Sequence, residues 1–284
     1  MSTRTMDYEI PVASDRRVCG SITLPPQCWW PAPVVLFCHG FKGFKDWGAW
    51  PRFAESLAAR GYLVNRMTFS LAGVSPRSDR QDEPEKFARN TYGAELEDIV
   101  ATLAERERWG VPVGALGPGT AIVGHSRGGM TALFFAAEAG LSHVQAIVSM
   151  AAPADPLPFS ARDLETWRRT GRLPVFNART QQELYLDRSV LDDYEQHQQR
   201  YDFIRALGTS AVPTLVLHGD ADVVVPVAAA HTIHTAILRA PRRLTILPGA
   251  NHTFGAAHPG PIESPELTRA LDCAVDWLEE YVPR

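Results

Sequence analysis

Residues 121–129, with the sequence AIVGHSRGG, contain a serine between two glycines at the point where a strand meets a helix. The run Ala121–Gly124 is typical of a short buried strand, and Gly128–Ala139 continues with helical spacing. The residues between them match G-x-S-x-G, in which the serine occupies a sharp, strained turn and the glycines avoid collisions with neighbouring backbone. This stretch predicts an α/β fold in which the hydroxyl of Ser126 projects above the sheet as a nucleophile.

Outward from this stretch, apolar runs of strand length alternate with longer segments of helical spacing, as in βαβ units. The pattern predicts a mostly parallel central sheet of about eight strands flanked by helices. The predicted strands are Tyr8–Val12, Val18–Leu24, Val34–Cys38, Tyr62–Phe69, Ala121–Gly124, Val144–Met150, Thr214–His218 and Arg243–Leu247. The predicted helices are Arg52–Arg60, Glu95–Trp109, Gly128–Ala139, Val227–Leu238 and Glu266–Tyr281.

One stretch interrupts this alternation, because more than sixty residues between Met150 and Thr214 contain no clear core strand. A single crossover connection needs far fewer residues. We therefore expect residues 153–210 to form a mostly helical cap inserted after the sixth strand, with residues 1–152 and 211–284 forming the core. The cap aromatic residues either pack the cap onto the sheet or line a pocket; they are Phe159, Trp167, Phe176, Tyr185 and Tyr194.

A serine hydroxyl is a poor nucleophile at neutral pH, so it needs a general base and an acid that orients the base. Residues 218–226, HGDADVVVP, follow an apolar strand and offer two carboxylates. The spacing favours Asp222, with Asp220 as the alternative or as a turn residue. Residues 247–254, LPGANHTF, follow the last strand and supply His252 as the predicted base. We expect the other candidates to lie at the surface; they are His197, His231, His234 and His258.

The loop after the strand Val34–Cys38 has the sequence HGFKGFKDWG and is rich in glycine. An oxyanion hole in this topology combines a backbone N–H from that loop with the N–H of the residue after the nucleophile. We therefore predict that the N–H groups of Phe41 and Arg127 form the hole. The side chains of Arg127 and Lys42 near the mouth would favour acidic substrates, unless they are solvated surface charges.

Composition argues against several classes of partner and cofactor. A formal charge of -4 and a pI near 6.1 provide no basic face for nucleic acid. The sequence has neither a long apolar span nor a secretory signal, so we expect no membrane partner and a cytoplasmic location. The four cysteines fit a reducing compartment, since they have neither metal-ligand spacing nor the density of a disulfide scaffold; they are Cys19, Cys28, Cys38 and Cys273.

No metal or other cofactor is predicted. The histidines at positions 39, 125, 218 and 252 lack the close pairing of a metal site, and the chain contains neither G-x-G-x-x-G nor a P-loop. The expected partner is a small ester or acyl substrate, and a homodimer is left open.

Six segments in chain order resemble the α/β-hydrolase superfamily; they are HGFKGFKDWG, FSLAGVSP, FARNTYGAELEDI, GHSRGG, HGDADVVVP and GANHTF. They look most like its bacterial dienelactone-hydrolase-related and cinnamoyl/feruloyl-esterase-like branch, and the likeness covers nearly all of Val18 to Trp277 except the cap. The resemblance implies a catalytic triad of Ser126, Asp222 and His252 that cleaves small or aryl esters. Dienelactone hydrolases proper use a cysteine nucleophile, so the serine here argues against that activity.

The expected reaction is therefore hydrolysis of a carboxylic ester through an acyl-enzyme intermediate. Two alternatives remain open at this stage. The same triad serves thioesterases and peptidases or amidases, and a small-molecule receptor on this fold can retain the triad without turnover.

Overall fold

The computed structural model describes residues 3–138, 144–260 and 263–284, and these contain ten strands and ten α-helices. The strands are β1 (Arg4–Ala13), β2 (Arg16–Leu24), β3 (Ala32–Cys38), β4 (Leu63–Thr68), β5 (Leu116–His125), β6 (Ala146–Met150), β7 (Arg172–Asn177), β8 (Gln182–Asp187), β9 (Thr214–Gly219) and β10 (Arg242–Leu247). The helices are α1 (Trp50–Ala59), α2 (Pro84–Ala88), α3 (Tyr92–Ala104), α4 (Arg127–Ala137), α5 (Ala161–Thr170), α6 (Arg188–Gln196), α7 (Gln198–Tyr201), α8 (Phe203–Leu207), α9 (Ala228–Ala236) and α10 (Pro265–Tyr281). Short 3₁₀ turns lie at Gln27–Trp29 and Arg106–Trp109.

Eight strands form one sheet in the order β1-β2-β4-β3-β5-β6-β9-β10. In this sheet β2 pairs antiparallel with both β1 and β4, whereas the six strands β4, β3, β5, β6, β9 and β10 run parallel to one another. The predicted mostly parallel sheet of about eight strands is thus confirmed. Because parallel strands end at the same edge of a sheet, the loops after β3, β5, β9 and β10 meet at one side of the molecule.

Both faces of the sheet are covered, as its continuous apolar runs predict. Every residue of β3 is buried. Val35 and Phe37 pack with α1 and α10 on one face, while Val34 and Leu36 pack with α3, α4 and α9 on the other. Cys38, on the second of these faces, is fully buried and free, and burial raises the pKa of its thiol.

Some predicted boundaries differ from the observed ones. Helix α3 begins at Tyr92 rather than Glu95, because the side chain of Thr91 accepts a hydrogen bond from the N–H of Ala94 and caps the helix. The predicted end of the helix after Ser126, at Ala139, lies outside the described residues. No helix in the described ranges is both long and apolar enough to cross a bilayer.

The segment 153–210 lies after the sixth strand and contains four helices, but it also contains a two-stranded hairpin of β7 and β8. The expectation of a mostly helical cap did not include this hairpin. Leu184 and Leu186 alternate with polar residues and pack against Trp167 and Leu173, so a period of two buries the apolar side chains there. Only two leucines carry this alternation, with the charged Glu183 and Asp187 on either side, so its signal in the sequence is weak.

Candidate active site

Ser126 lies in the turn between β5 and α4 with φ of 53° and ψ of −121°. Its N–H donates to the carbonyl of Met150 at 2.7 Å, and its own carbonyl accepts from the N–H of Met130 at 3.0 Å. A Cβ atom at Gly124 would lie 2.2 Å from the carbonyl oxygen of Gly128. The close packing of the turn therefore requires glycine beside the strained serine.

Three side chains from three loops form a continuous hydrogen-bonded relay. The Nε2 atom of His252 lies 3.0 Å from Oγ of Ser126, and its Nδ1 atom lies 2.8 Å from Oδ2 of Asp222. Because a carboxylate only accepts, Nδ1–H of His252 donates to it and Nε2 is left to accept the serine proton. The structure thus brings together the three residues that the sequence analysis selected.

Asp222 is held by backbone donors as well as by the imidazole. Its side chain is completely buried, and its Oδ1 atom accepts from the N–H groups of Val224 at 2.8 Å and Val225 at 2.9 Å. These bonds aim Oδ2 at the imidazole. Asp220, the alternative carboxylate, instead accepts from the N–H of Gly249 at 2.7 Å and serves as a turn residue.

The buried His218 adds another donor to Asp222, a role that the sequence analysis missed. Its Nε2 atom lies 2.9 Å from the carbonyl of Val225 and 3.3 Å from Oδ2 of Asp222. Burial lowers the pKa of His218, so the ring is neutral and its Nε2–H points at both acceptors. In the sequence, the one indication of this role is that His218 is the first residue of H-G-x-x-D, four positions before Asp222.

His125, immediately before the serine, fixes the loop that carries His252. Burial, with a smaller effect from the neighbouring His252, lowers the pKa of His125 to about 3. The ring is therefore neutral, and its Nε2–H donates to the carbonyl of His252 at 2.8 Å. No motif in the sequence predicts this role for His125.

The loop after β3 turns back at Phe41. The N–H of Gly43 donates to the carbonyl of Gly40 at 3.0 Å and closes the turn, with Lys42 at a positive φ of 60°. His39 supports the turn, since its Nδ1–H donates to the carbonyl of Gly40 at 2.8 Å and its Nε2 accepts from the N–H of Phe69 at 3.2 Å.

Neither of the two N–H groups predicted to form the oxyanion hole is occupied by a backbone hydrogen bond in the described ranges. Within the described ranges, the N–H of Phe41 donates no hydrogen bond. The N–H of Arg127 belongs to the first residue of α4, where no intrahelical carbonyl is available. Both residues line a cavity together with Ser126.

The positive charge of the Arg127 side chain is directed into the protein rather than toward the mouth of the site. Its guanidinium forms an ion pair with the buried Glu95 at 2.7 Å and lies over the ring of Tyr92 at 3.8 Å from the centroid. Glu95 also accepts from the hydroxyl of Thr131 and the amide of Asn90. This guanidinium is therefore neither a free cation at the mouth of the site nor a solvated surface charge, because an internal carboxylate already neutralises it.

Two cavities meet at Ser126 and Phe41. The larger, of about 640 Å³, is lined mostly by apolar residues of the cap and of the segment after Asp222, among them Pro153, Pro158, Phe159, Leu186, Val225 and Ala229. The smaller, of about 270 Å³, lies on the imidazole side and includes Trp47, Trp50, Asn177, Arg179, His252 and Lys42. A substrate whose carbonyl lies at Ser126 can thus extend in two chemically different directions.

Two of the cap aromatic residues, Trp167 and Phe159, take the two expected roles. Trp167 is fully buried and packs the cap, whereas Phe159 contacts Trp167 and lines the larger cavity. Phe176 is 53% exposed. Tyr185 donates to Glu85.

The remaining histidines lie outside the relay. His197 and His231 are exposed, and His234 is partly buried. His258 is not the surface residue that was predicted, since its Nδ1 accepts from the N–H of Gly48 at 2.9 Å and its ring stacks on Trp47. Among the described residues, no group of three or more His, Cys, Asp or Glu side chains is arranged to hold a metal ion.

Comparison with known families identifies a family whose fold agrees with the sheet described above. A model of the alpha/beta hydrolase family matches residues 35–269, which is most of the chain. The chain belongs to the alpha/beta hydrolase family. Among curated proteins, none matches it.

Solved structures of other alpha/beta hydrolases have similar folds. Est1E from Butyrivibrio proteoclasticus with ferulic acid bound is 17% identical with a TM-score of 0.70, over 97% of this chain and 99% of that one. A dienelactone hydrolase from Anabaena variabilis is 20% identical with a TM-score of 0.64, over 99% of both chains. The esterase domain of a Rhodothermus marinus protein is 20% identical with a TM-score of 0.64, over 99% of this chain and 100% of that one. At these identities the likeness shows the fold alone.

Proposed function

We propose that this alpha/beta hydrolase is a serine carboxylesterase that cleaves esters of small or aryl acids through an acyl-enzyme intermediate. The observation that supports the proposal is the relay from the hydroxyl of Ser126 through His252 to Asp222, with distances of 3.0 and 2.8 Å. These distances are within the range required for proton transfer from a nucleophile to a general base.

In the first half-reaction, Oγ of Ser126 attacks the ester carbonyl carbon while Nε2 of His252 takes the hydroxyl proton. The carbonyl oxygen becomes an oxyanion, which accepts hydrogen bonds from the N–H groups of Phe41 and Arg127. When the tetrahedral intermediate collapses, His252 gives its proton to the leaving alcohol oxygen. The acyl group then remains on Ser126.

In the second half-reaction, His252 takes a proton from water, whose oxygen attacks the acyl carbon. Collapse of this intermediate returns the proton to Oγ of Ser126 and releases the carboxylic acid. Asp222 keeps Nδ1 of the imidazole protonated throughout and stabilises the imidazolium that forms in each half-reaction.

The larger cavity supports an apolar acyl group. Its volume of about 640 Å³ and its lining of proline, phenylalanine, leucine, valine and alanine side chains suit a phenylpropenoyl or medium alkyl chain. Est1E, a similar fold, was solved with ferulic acid bound, so aryl acids are the first acyl groups to test.

The first prediction tests the nucleophile. We expect Ser126→Ala to lower kcat for a p-nitrophenyl ester by at least about 10³-fold, because the acyl-enzyme cannot form. Labelling with a fluorophosphonate probe should be lost with it. Ser14→Ala, at an exposed serine in the turn between β1 and β2, is the control and should keep both activities. Full hydrolysis by Ser126→Ala would refute the proposal.

A substrate panel separates this proposal from its alternatives. Matched esters, thioesters and aminoacyl amides that share one acyl group should be cleaved with the ester preferred in kcat/KM. A preference for the thioester or amide would assign the same relay to another reaction. Probe labelling of Ser126 without turnover of any compound would instead indicate a receptor.

A further inference from the structure

The smaller cavity beside Ser126 is cationic. Lys42 and Arg179 line it, and no aspartate or glutamate of the described chain does. Nζ of Lys42 donates to the carbonyl of Phe176 at 3.2 Å, and no carboxylate in the described ranges lies within 4.0 Å of it. Its charge is therefore not neutralised by the protein.

Arg179 extends from the turn between β7 and β8, and its charge is only partly compensated. Its nearest carboxylate, that of Asp79, lies 3.7 Å away and is 65% exposed to solvent, where its field is screened. Burial lowers the pKa values of both Lys42 and Arg179, as it does for cations that lack a close counter-ion. An anion in the cavity would offset the free-energy cost of keeping these two partly buried side chains charged.

Proton transfer determines which part of an ester enters this cavity. Nε2 of His252 must reach the leaving oxygen to protonate it. His252 lines the smaller cavity but is not among the residues that line the larger one. The alcohol part of the ester therefore extends into the smaller cavity, while the acyl part extends into the larger one.

We propose that the smaller cavity binds an anionic alcohol, so that the preferred substrates are esters whose leaving alcohol carries a carboxylate or phosphate held by Lys42 and Arg179. This inference rests on the proposed esterase function and adds a substrate class to it. A volume of about 270 Å³ suits a short hydroxy acid or a small phosphorylated alcohol. The charge that the sequence analysis assigned to Arg127 is thus supplied by a different arginine, one that belongs to the cap.

The experiment compares two substrates of equal shape and different charge. An acyl glycolate ester carries a free carboxylate, and the corresponding acyl glycolamide ester carries a neutral amide in its place. We expect the glycolate ester to have a kcat/KM about tenfold higher, because a charge-assisted hydrogen bond is stronger than a neutral one. A third ester, of 2-hydroxyethyl phosphate, distinguishes a phosphate preference from a carboxylate preference.

The variants test which residues cause the preference. Lys42→Gln and Arg179→Gln should each reduce the glycolate-to-glycolamide ratio about threefold or more, and the double variant should bring it near one. Lys42→Arg should restore the ratio, since it returns the charge. Lys86→Gln, which removes a lysine already paired with Glu83, is the matched control and should leave the ratio unchanged.

The outcomes distinguish the two proposals. Hydrolysis of both esters with a ratio near one, or a ratio that the Lys42 and Arg179 variants do not change, would overturn this inference and leave the esterase proposal intact. If neither ester is cleaved, hydrolysis of the p-nitrophenyl ester decides separately whether the esterase proposal fails. Calorimetric binding of the two esters to Ser126→Ala then decides the charge preference without turnover: tighter binding of the glycolate ester would support it, and equal binding would reject it.

Discussion

At the scale of single residues, the relay depends on the orientation of the carboxylate of Asp222. Asp220 and Asp222 lie in the same loop, yet only Asp222 is buried and bonded to the imidazole. The N–H groups of Val224 and Val225 hold its second oxygen and prevent the carboxylate from rotating away. The neutral His218 adds a donor from behind the carboxylate.

This arrangement predicts unequal effects of two similar substitutions. Asp222→Asn should lower kcat about 10³- to 10⁴-fold, because an amide can donate to the imidazole and favour the wrong tautomer. Asp220→Asn should lower kcat less than about threefold, since Asp220 contacts only the turn at Gly249. Steady-state kinetics on one ester measures both. Equal losses in the two variants would contradict the assignment of the acid.

At the scale of elements, a buried glutamine joins the cap hairpin to the loop after β3. Gln81 is 1% exposed, and its side chain accepts from the amide of Asn177 at 2.7 Å and donates to the carbonyl of Lys42 at 3.1 Å. Its backbone N–H and carbonyl bind the side-chain amide of Gln182 at 3.3 and 2.8 Å. The position of the hairpin is thus coupled to the turn that presents the N–H of Phe41.

We expect Gln81→Leu to disturb this coupling. The substitution leaves the partly buried carbonyl of Lys42 and the buried amide of Asn177 unpaired, which costs about 1–3 kcal/mol of unfolding free energy. It should also lower kcat about tenfold as the turn at Phe41 loosens. Chemical denaturation and ester kinetics measure the two effects.

Gln182→Leu is the matched control for this prediction. It removes bonds between the hairpin and the backbone of Gln81 but keeps the contact with Lys42. We therefore expect a loss of stability with a smaller loss of kcat. The interpretation fails if both variants lose kcat equally.

At the scale of the whole molecule, buried neutral histidines make stability depend on pH. The pKa of His125 is about 3 in the folded chain, and an unfolded histidine titrates near 6.5. Between these values only the unfolded chain binds the proton, so the free energy of unfolding falls as the pH falls below about 6.5. Burial lowers the pKa values of His39 and His218 in the same direction. Asp98 opposes them, because burial raises its pKa to about 6.

A histidine variant isolates the contribution of His125. When the pH is lowered from 7 to 5, protonation of His125 in the unfolded chain should by itself reduce the free energy of unfolding by about 2 kcal/mol. His125→Gln keeps a donor for the carbonyl of His252 and does not titrate, so its stability should fall less over the same range. Urea unfolding at several pH values measures the difference. The same slope in both proteins would show that the histidine titrates normally in the folded chain.

The sequence by itself determined the sheet, the turn at Ser126 and the loops that carry the acid and the base. These features depend on local patterns: apolar runs of strand length, glycines where side chains would collide, and polar residues directly after strands. The order of the loops along a parallel sheet then brings their residues to one edge. The relay of Ser126, Asp222 and His252 could therefore be predicted as a set of positions before any distance was known.

Only the tertiary structure decided how charge is distributed around that relay. Arg127 is neutralised by Glu95, which lies 32 residues earlier in the chain, while Lys42 has no carboxylate partner among the described residues and Arg179 is only partly compensated by Asp79. The donors behind His252 and Asp222, the hairpin of β7 and β8, and the two cavities likewise arise from segments that are distant in sequence. Burial and ion pairing set the charge and protonation of a side chain, and both depend on neighbours that local spacing does not specify.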